Sequence, residues 1–337
     1  MNFISRQSWD PSLHRLTDEA VYRNRALHRR EFLASLGRSS LGLGAAGLLI
    51  GGLLPGCSEH KPDEVKLKAA AQIDIPQASH DHYPAKRNPA FEYGRDETAQ
   101  QAAAIYTNFY EFSTSKQTYL YVDDFKPTPW DITVDGLCSK PMTFGLDDLH
   151  SKFELEERAY RHRCVETWAM CVPWTGFPLA KLIEMVEPTA DAKFVKFASF
   201  ERPTEAHGMA DSSFPWPYAE GLTLAEATNE LTLLATGIYG EPLPKQHGAP
   251  VRLVLPWKYG FKSSKSIVRI TLTSKPPGTF WNIVNPREYG FEANVEPEVA
   301  HPRWSQSSEW MLGTRERHPT IKYNGYGDYV AKMYGKG

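Results

Sequence analysis

Hydrophobic positions recur with a clear period in only a few parts of this chain. Over residues 178–186 the apolar side chains fall three and four positions apart, which predicts a helix beginning near Pro178. Residues 100–112 are expected to start as a helix and continue as a loop, and the chain after Lys275 to form packed loops and short strands. Alternating or β-branched runs predict strands at 131–136, 193–200, 251–255 and 266–272. This mixed, non-repeating order predicts an α+β fold.

Residues 1–57 have the pattern of an export signal. Arg29 and Arg30 precede a moderately apolar stretch at 41–54. Fourteen helical residues reach only roughly 21 Å, short of the roughly 30 Å hydrocarbon core. The segment therefore predicts a twin-arginine signal in preference to a chance arginine pair before a membrane anchor. We expect a periplasmic protein carried by the twin-arginine export machinery.

The end of the signal leaves its processing open. Leu54-Pro55-Gly56-Cys57 approximates a lipobox in which Cys57 would carry lipid, but Pro55 fits that motif poorly, so ordinary cleavage nearby is the alternative. Residues 58–90 are polar and proline-bearing and predict an extended arm, and residues 91–337 predict a single domain. Because twin-arginine export moves folded proteins, a buried redox cofactor is expected.

Two patterns narrow the class of protein. The run Gly42–Gly47 matches a dinucleotide-binding motif in spelling alone, since no strand or βαβ unit surrounds it. With 38 Lys and Arg against 40 Asp and Glu, the formal net charge of -2 gives no electrostatic reason to expect nucleic acid as a partner.

The four cysteines are too few for a disulfide framework and form no CxxC pair. Cys164 follows Arg161-His162-Arg163, and positive charge there would favour the thiolate that binds soft metals. The alternative is a small buried hydrophobic residue. Cys138 and Cys171 could pair in an oxidising compartment or remain two separate buried thiols.

A second informative segment spans residues 243–266. Arg252 offers a fork of hydrogen-bond donors, and the turn Lys262-Ser263-Ser264-Lys265 could surround a phosphate with charge and hydrogen bonds. The alternative for this turn is a solvated basic hairpin.

Short sequence motifs in a fixed order carry a specific resemblance over about residues 70–330. They are Asn108-Phe109-Tyr110-Glu111-Phe112, Arg163-Cys164-Val165-Glu166, Val172-Pro173-Trp174, Gly248-Ala249-Pro250-Val251-Arg252-Leu253, Pro256-Trp257-Lys258-Tyr259-Gly260-Phe261-Lys262-Ser263, His301-Pro302-Arg303-Trp304-Ser305-Gln306 and Asn324-Gly325-Tyr326. Together they resemble the catalytic subunit of bacterial protein-methionine-sulfoxide reductases.

The resemblance implies a sulfite-oxidase-type fold of mixed sheets, helices and long loops around molybdenum-molybdopterin without an appended nucleotide. Cys164 would be the metal ligand, and the cofactor-binding residues would be Asn108, Glu111, Phe112, Cys164, Ser199, His247, Arg252, Ser263, Ser264 and Lys265. His247 stands where the family usually has asparagine, and Ser199 where it usually has threonine. Both replacements keep hydrogen-bonding capacity.

Glu166 is the second candidate catalytic residue. If residues 161–166 form a strand, His162, Cys164 and Glu166 share one face and Arg161 and Arg163 share the other. Near the metal, the Glu166 charge would repel sulfite and tolerate a neutral sulfoxide. The alternative is that Glu166 pairs with a nearby Arg or Lys. Four tryptophans are candidates for the pocket wall, namely Trp168, Trp174, Trp216 and Trp257.

The resemblance implies reduction of methionine sulfoxide residues in oxidised periplasmic proteins. It also implies a membrane haem-binding partner that donates electrons, since the sequence has no haem or flavin motif of its own. Two alternatives are a sulfite-oxidising molybdenum enzyme and a cofactor-free periplasmic binding or structural β protein.

Overall fold

The computed structural model describes residues 61–75 and 77–335, with residues 77 and 78 described by backbone alone. The chain divides into two units, Met1–His60 and Lys61–Gly337, and the described residues belong to the second. The twin-arginine segment and Cys57 therefore lie outside the described residues. Among the residues described, no helix is long and apolar enough to cross a membrane.

The strands of the described part form two sheets. Their bounds are β1 Asp131–Gly136, β2 Met142–Gly145, β3 Glu156–Arg163, β4 Trp168–Pro178, β5 Phe194–Ser199, β6 Ala219–Thr223, β7 Leu233–Ile238, β8 Glu241–Pro242, β9 Arg252–Val254, β10 Ile267–Thr273, β11 Ser308–Met311 and β12 Arg317–Pro319. One sheet has the order β2-β1-β10-β5-β6. The other has the order β12-β11-β4-β7-β8, with β3 paired to β4 and β9 paired to β7.

Short helices connect and cover these sheets. The α-helices are α1 Glu64–Ala71, α2 Gln77–His80, α3 Gln100–Ala104, α4 Leu146–Lys152, α5 Leu179–Met185, α6 Leu224–Ala227, α7 Phe280–Val284 and α8 Gly327–Val330. The 3-10 helices are Thr118–Leu120, His207–Ala210, Lys245–His247, Gly260–Lys262, Lys322–Gly325 and Ala331–Tyr334. Mixed sheets with segregated helices agree with the predicted α+β class.

The periodic segments fold as the sequence predicts. In α5, Pro178 is the N-cap and Leu182 and Ile183 are buried, as the three-and-four spacing requires. In β1, Ile132 and Val134 alternate into the core. The predicted strands at 193–200 and 266–272 correspond to β5 and β10, and the helix expected to open 100–112 is α3.

One expectation was wrong. Residues 58–90 are not simply extended, because α1 forms there with the Asp63 carboxylate capping its first turn. Ala70 and Ile75 bury this segment against the main core. The strand predicted at 251–255 is confirmed by β9, although every residue of that run is buried and not only alternate ones.

The β3–β4 pair positions the cysteine. The strands run antiparallel with Arg163 opposite Ala169, and the Cys164 amide donates to the Trp168 carbonyl at 2.9 Å. Thr167 closes the turn with a φ of 73°, a left-handed conformation that a β-branched residue rarely adopts. The strand predicted through residue 166 therefore ends at Arg163, and Cys164 begins a hairpin turn.

Candidate cofactor and active site

Three segments of the chain supply most of the residues that line an open cavity of about 780 Å³. The first is the loop after α3, the second is the β3–β4 turn, and the third runs from the 3-10 turn before β9 to the turn before β10. The cavity-lining residues are Thr107, Asn108, Phe109, Tyr110, Glu111, His162, Cys164, Val165, Glu166, Trp168, Met170, Tyr218, His247, Arg252, Gly260, Phe261, Ser263, Lys265, Trp281 and Tyr289.

Cys164 is buried at one end of this cavity. The Asn108 side-chain amide lies 3.6 Å from its Sγ, and the Glu166 backbone N–H lies 3.5 Å from the same atom. Burial, with the Glu166 carboxylate nearby, raises the pKa of the Cys164 thiol to about 12. A thiolate at this position therefore requires a strong stabilising charge, and a coordinated metal ion supplies one.

The basic neighbours of Cys164 in the sequence supply too little of that charge, because the effect of Arg163, which lowers the pKa of the thiol, is outweighed by burial. The Arg163 side chain donates to the Cys164 carbonyl and pairs with Glu309 at 3.0 Å, where both groups are buried. The Arg161 side chain donates to the Tyr93 carbonyl. Alternate residues of a strand point to opposite faces, so the two arginines serve the far side of β3.

Glu166 reaches the cavity through the turn and is held by three donors. Lys116 Nζ lies 2.6 Å from Glu166 Oε2, Asn108 Nδ2 lies 3.0 Å away, and Trp168 Nε1 lies 3.2 Å away. Burial opposes ionisation of this carboxyl, but these contacts outweigh it and hold the Glu166 pKa below its usual value. The alternative in which Glu166 pairs with a nearby cation is thus confirmed.

His162 is buried and also lines the cavity. Gly260 makes room for it, because a Cβ at residue 260 would lie 2.5 Å from His162 Nε2. Burial, together with Arg252 and Lys265, places the His162 pKa well below its usual value. The imidazole is therefore neutral and available as a hydrogen-bond donor or acceptor toward the cavity.

Two cations line the cavity, Arg252, which is buried, and Lys265, which is partly buried. Arg252 donates to the His247 carbonyl at 2.8 Å and lies over the Trp174 ring, and Lys265 Nζ lies 5.3 Å from the centre of the Phe109 ring. Neither forms an ion pair in the described chain, although the Glu111 carboxylate is near enough for its charge to favour the protonated form of Lys265. Burial lowers the pKa of both.

Neutral polar groups surround these cations. Burial, with Arg252 and Lys265 nearby, lowers the pKa of His247 to about 3, so its ring is uncharged. Ser263 Oγ accepts from the Leu255 amide at 3.2 Å, while the buried Ser264 Oγ has no hydrogen-bond partner in the described structure. Buried charges and hydroxyls left in this condition indicate a site built for an anion.

Glu111, Phe112 and Ser199 form the third predicted group. Glu111 lines the cavity, and the Ser199 hydroxyl donates to Glu111 Oε1 at 2.9 Å. Burial raises the Glu111 pKa. Phe112 and Ser199 do not line the cavity; Phe112 packs edge-on against Phe109 at 4.7 Å between ring centres. These two residues support the wall from behind.

The residues present fit a molybdenum-molybdopterin group. One buried cysteine, two cations without ion pairs in the described chain and the Ser263 hydroxyl line one cavity, while Ser264, whose buried hydroxyl has no partner in the described structure, is their chain neighbour and does not line the cavity. Such an arrangement matches a metal at the thiol and a terminal phosphate at the cations. Within the described residues, no group of three or more His, Cys, Asp and Glu side chains is arranged to hold a metal ion by itself.

Several expectations need correction here. Of the four tryptophans, only Trp168 lines the cavity, while Trp174 and Trp257 are fully buried. Lys262 was expected to help surround a phosphate, but it pairs with buried Glu220 at 2.7 Å. The turn is therefore not a solvated hairpin, and only one of its two lysines, Lys265, has no ion pair in the described chain. Cys138 and Cys171 are both free thiols, which confirms separate thiols over a disulfide.

Sequence reasoning missed Lys116 and the aromatic residues Tyr110, Trp281 and Tyr289. Lys116 is 50 positions from its partner Glu166, and no local pattern signals that contact. The Tyr110 and Trp281 rings meet edge-on with centres 4.9 Å apart, and the Trp281 and Tyr289 rings are tilted with centres 5.1 Å apart. All three rings line the cavity.

The oxidoreductase molybdopterin-binding domain family matches residues 119–281. With the cavity described above, this match makes the chain a molybdopterin-binding oxidoreductase. The chain is 43% identical over 326 residues to the protein-methionine-sulfoxide reductase catalytic subunit MsrP of Burkholderia mallei, across 95% of this chain and 91% of that protein. The chain thus belongs to the family of protein-methionine-sulfoxide reductase catalytic subunits.

A solved structure, the sulfane dehydrogenase SoxCD from Paracoccus pantotrophus, is similar over 68% of this chain and 57% of that chain. The sequence identity is 15% and the TM-score is 0.43.

Proposed function

We propose that this oxidoreductase reduces methionine sulfoxide residues in proteins to methionine. The observation that carries the proposal is the joint presence, in one cavity, of buried Cys164 and of Arg252 and Lys265, which form no ion pair in the described chain, in a sequence 43% identical to a protein-methionine-sulfoxide reductase catalytic subunit. When bound, molybdenum-molybdopterin supplies oxygen-atom transfer and holds the two electrons that the reaction needs.

The residues of the chain divide the remaining work. Cys164 Sγ is the metal ligand, and Asn108 and the Glu166 amide fix the direction of that sulfur atom. Arg252, Lys265, His247 and Ser263 line the cavity and would bind the phosphate end of the cofactor, with Ser264 next to them in the turn. Glu111, held by Ser199, also lines the cavity.

The open side of the cavity determines which substrate fits. Lys116 neutralises Glu166, so no uncompensated negative charge from this carboxylate faces the substrate. The aromatic wall of Tyr110, Trp281 and Tyr289 provides an apolar surface for a methionine side chain. A neutral sulfoxide is thus accommodated, and selectivity against sulfite does not follow from the charge of Glu166 alone.

Further parts of the proposal rest on the sequence. The twin-arginine pattern before residue 57 supports a periplasmic location, with lipid at Cys57 as an open alternative to simple cleavage. The absence of a haem or flavin motif in the sequence supports an electron-donating partner, for which we propose a membrane haem-binding protein. The cofactor is proposed to lack an appended nucleotide, which mass spectrometry of the extracted pterin tests directly.

The decisive experiment compares wild type with Cys164→Ser. The wild type is expected to contain molybdenum and to reduce methionine sulfoxide with chemically reduced viologen as electron source, whereas Cys164→Ser loses nearly all activity because a hydroxyl is a poor ligand for this soft site. Metal-free wild type, prepared with ample molybdenum supply, would contradict the proposal. Oxidation of sulfite without sulfoxide reduction would establish the alternative enzyme.

A further inference from the structure

The segment 301–306 contributes to the family resemblance, but none of its residues lines the cofactor cavity. Two of its side chains hold the backbone beside the metal-ligating cysteine. Trp304 Nε1 and Gln306 Nε2 each donate to the Val165 carbonyl oxygen at 2.8 Å. Val165 follows Cys164 in the chain, so one hydrogen bond and the backbone of Val165 connect the indole ring of Trp304 to the cysteine.

Trp304 differs from Gln306 because it also reaches the protein surface. Its ring is partly exposed, whereas Gln306 is buried. The ring stacks on His301 with centres 3.9 Å apart and planes 10° apart, and the Arg303 guanidinium lies 4.8 Å from its centre. A conjugated π system therefore extends from the surface to a hydrogen bond beside Cys164.

The surface around Trp304 is small and apolar with a charged rim. Val299 is 66% exposed, and Ala300 and Pro302 are also exposed. Glu288 pairs with Arg303 at 2.7 Å and lies 3.3 Å from His301 Nε2. Small contact areas with apolar centres and polar rims are typical of transient redox complexes.

This surface lies on the other side of a wall from the substrate. Val165, Phe261 and Tyr289 line both the cofactor cavity and a second cavity with an empty volume of about 1160 Å³. His301 and Gln306 line only the second cavity. A protein bound over Trp304 would thus approach the metal ligand while the substrate cavity stays open.

We propose that the surface formed by Val299, Ala300, Pro302 and Trp304 binds the electron-donating protein and that electrons pass from its haem through Trp304 and the Val165 carbonyl to Cys164. The inference rests on the proposed function, which requires such a donor. For each sulfoxide, two electrons arrive one at a time from two oxidations of the haem. The S–O bond breaks, two protons are taken from water, and thioether and water are released.

The test attaches a photoreductant at a defined place on the holoenzyme. A ruthenium polypyridyl label is fixed to Val299→Cys in a Cys57→Ser, Cys138→Ser background, and the rate of metal reduction after a laser flash is followed by electron paramagnetic resonance. A second label at Ile283→Cys, which is 58% exposed and lies in α7 beside cavity-lining Trp281, is the matched control.

Each label is then combined with Trp304→Phe, which keeps an aromatic ring but loses the donor to Val165, or with Gln306→Glu, which loses the other donor to the same carbonyl. We expect Trp304→Phe to slow reduction from the Val299 label several-fold and to leave the Ile283 label unaffected, and Gln306→Glu to have little effect on either.

An equal slowing with both labels, an equal effect of both substitutions, or no effect of Trp304→Phe would overturn the electron path. Any of these results leaves the proposed function intact. Loss of that function would appear instead as failure of unlabelled wild type to reduce methionine sulfoxide with reduced viologen.

Discussion

Two lysines three residues apart in one turn have opposite surroundings. The Lys262 side chain is fully buried, and Lys265 is partly buried and lines the cofactor cavity. Lys262 lies 2.7 Å from the carboxylate of Glu220, while Lys265 forms no ion pair in the described chain and is influenced by the Glu111 carboxylate only at longer range. The paired lysine stabilises the protein, and the unpaired lysine leaves an anion-binding site open.

The same contrast separates two arginines. Arg163 is saturated by Glu309, Gln306 and Thr320. Arg252 has only backbone carbonyl acceptors and the face of Trp174. Buried charge is therefore not by itself evidence of a binding site. The informative observation is a buried charge whose counter-charge the chain does not provide.

The largest expected effect comes from Arg252→Met. Leaving a phosphate without its buried cation costs about 3–5 kcal/mol, which is roughly two to four orders of magnitude in affinity for the cofactor. The cofactor-free protein should be no less stable, because an unpaired buried charge is removed. The amounts of pterin and molybdenum retained after dialysis measure the loss of affinity, and urea unfolding of the empty protein measures its stability. Unchanged retention of the cofactor would contradict the role of Arg252 as an anion-binding residue.

Lys262→Met should act in the opposite way. Removing this cation leaves Glu220 buried without a partner, so the unfolding free energy should fall by about 3 kcal/mol in both the empty and the loaded protein. Urea titration of both forms is the measurement. If only the loaded form were weakened, Lys262 would have to be reassigned to the cofactor site.

Lys265 adds a dependence on pH. Burial lowers its pKa in the folded protein, so the unfolded chain binds the proton more strongly, and stability of the empty protein should rise as the pH rises toward 10.5. The slope contributed by one group is at most about 1.4 kcal/mol per pH unit. Lys265→Met should remove this contribution, and Lys262→Met is the control. A slope unaffected by Lys265→Met would contradict the argument.

The smallest effect is expected at the half-exposed pair. Lys116 and Glu166 have side chains about one quarter to one third exposed, so Lys116→Met should change stability by less than about 1 kcal/mol. Thermal unfolding measures this change. A selectivity shift between methionine sulfoxide and sulfite in the same variant would show that the neutralisation of Glu166 acts on substrates.

Sequence alone predicted those parts of the fold whose information is local. The spacing over 178–186 and the alternation over 131–136 gave α5 and β1, because burial of one face decides both. The hairpin turn at Thr167 was missed, since a left-handed threonine has no signal in the sequence. The strand was therefore extended through residue 166.

The sequence predicted most of the residues of the candidate site, but few of the contacts that these residues make. The family resemblance placed Cys164, Arg252 and Lys265, and the structure brings them into one cavity. The ion pairs of these residues could not be predicted from the sequence, because the partners are distant along the chain. Lys116 is 50 residues from Glu166, and Glu309 is 146 residues from Arg163. Those distant partners decide which charges are free.

The two unpaired cations also have a consequence for quality control in the cell. A chain made when molybdenum or pterin is scarce would keep positive charge in the cavity that no cofactor neutralises. The segments around the cavity would therefore unfold locally more often than those of the loaded protein. Housekeeping proteases act on such openings, so the abundance of this protein should follow the supply of its prosthetic group without any dedicated sensor.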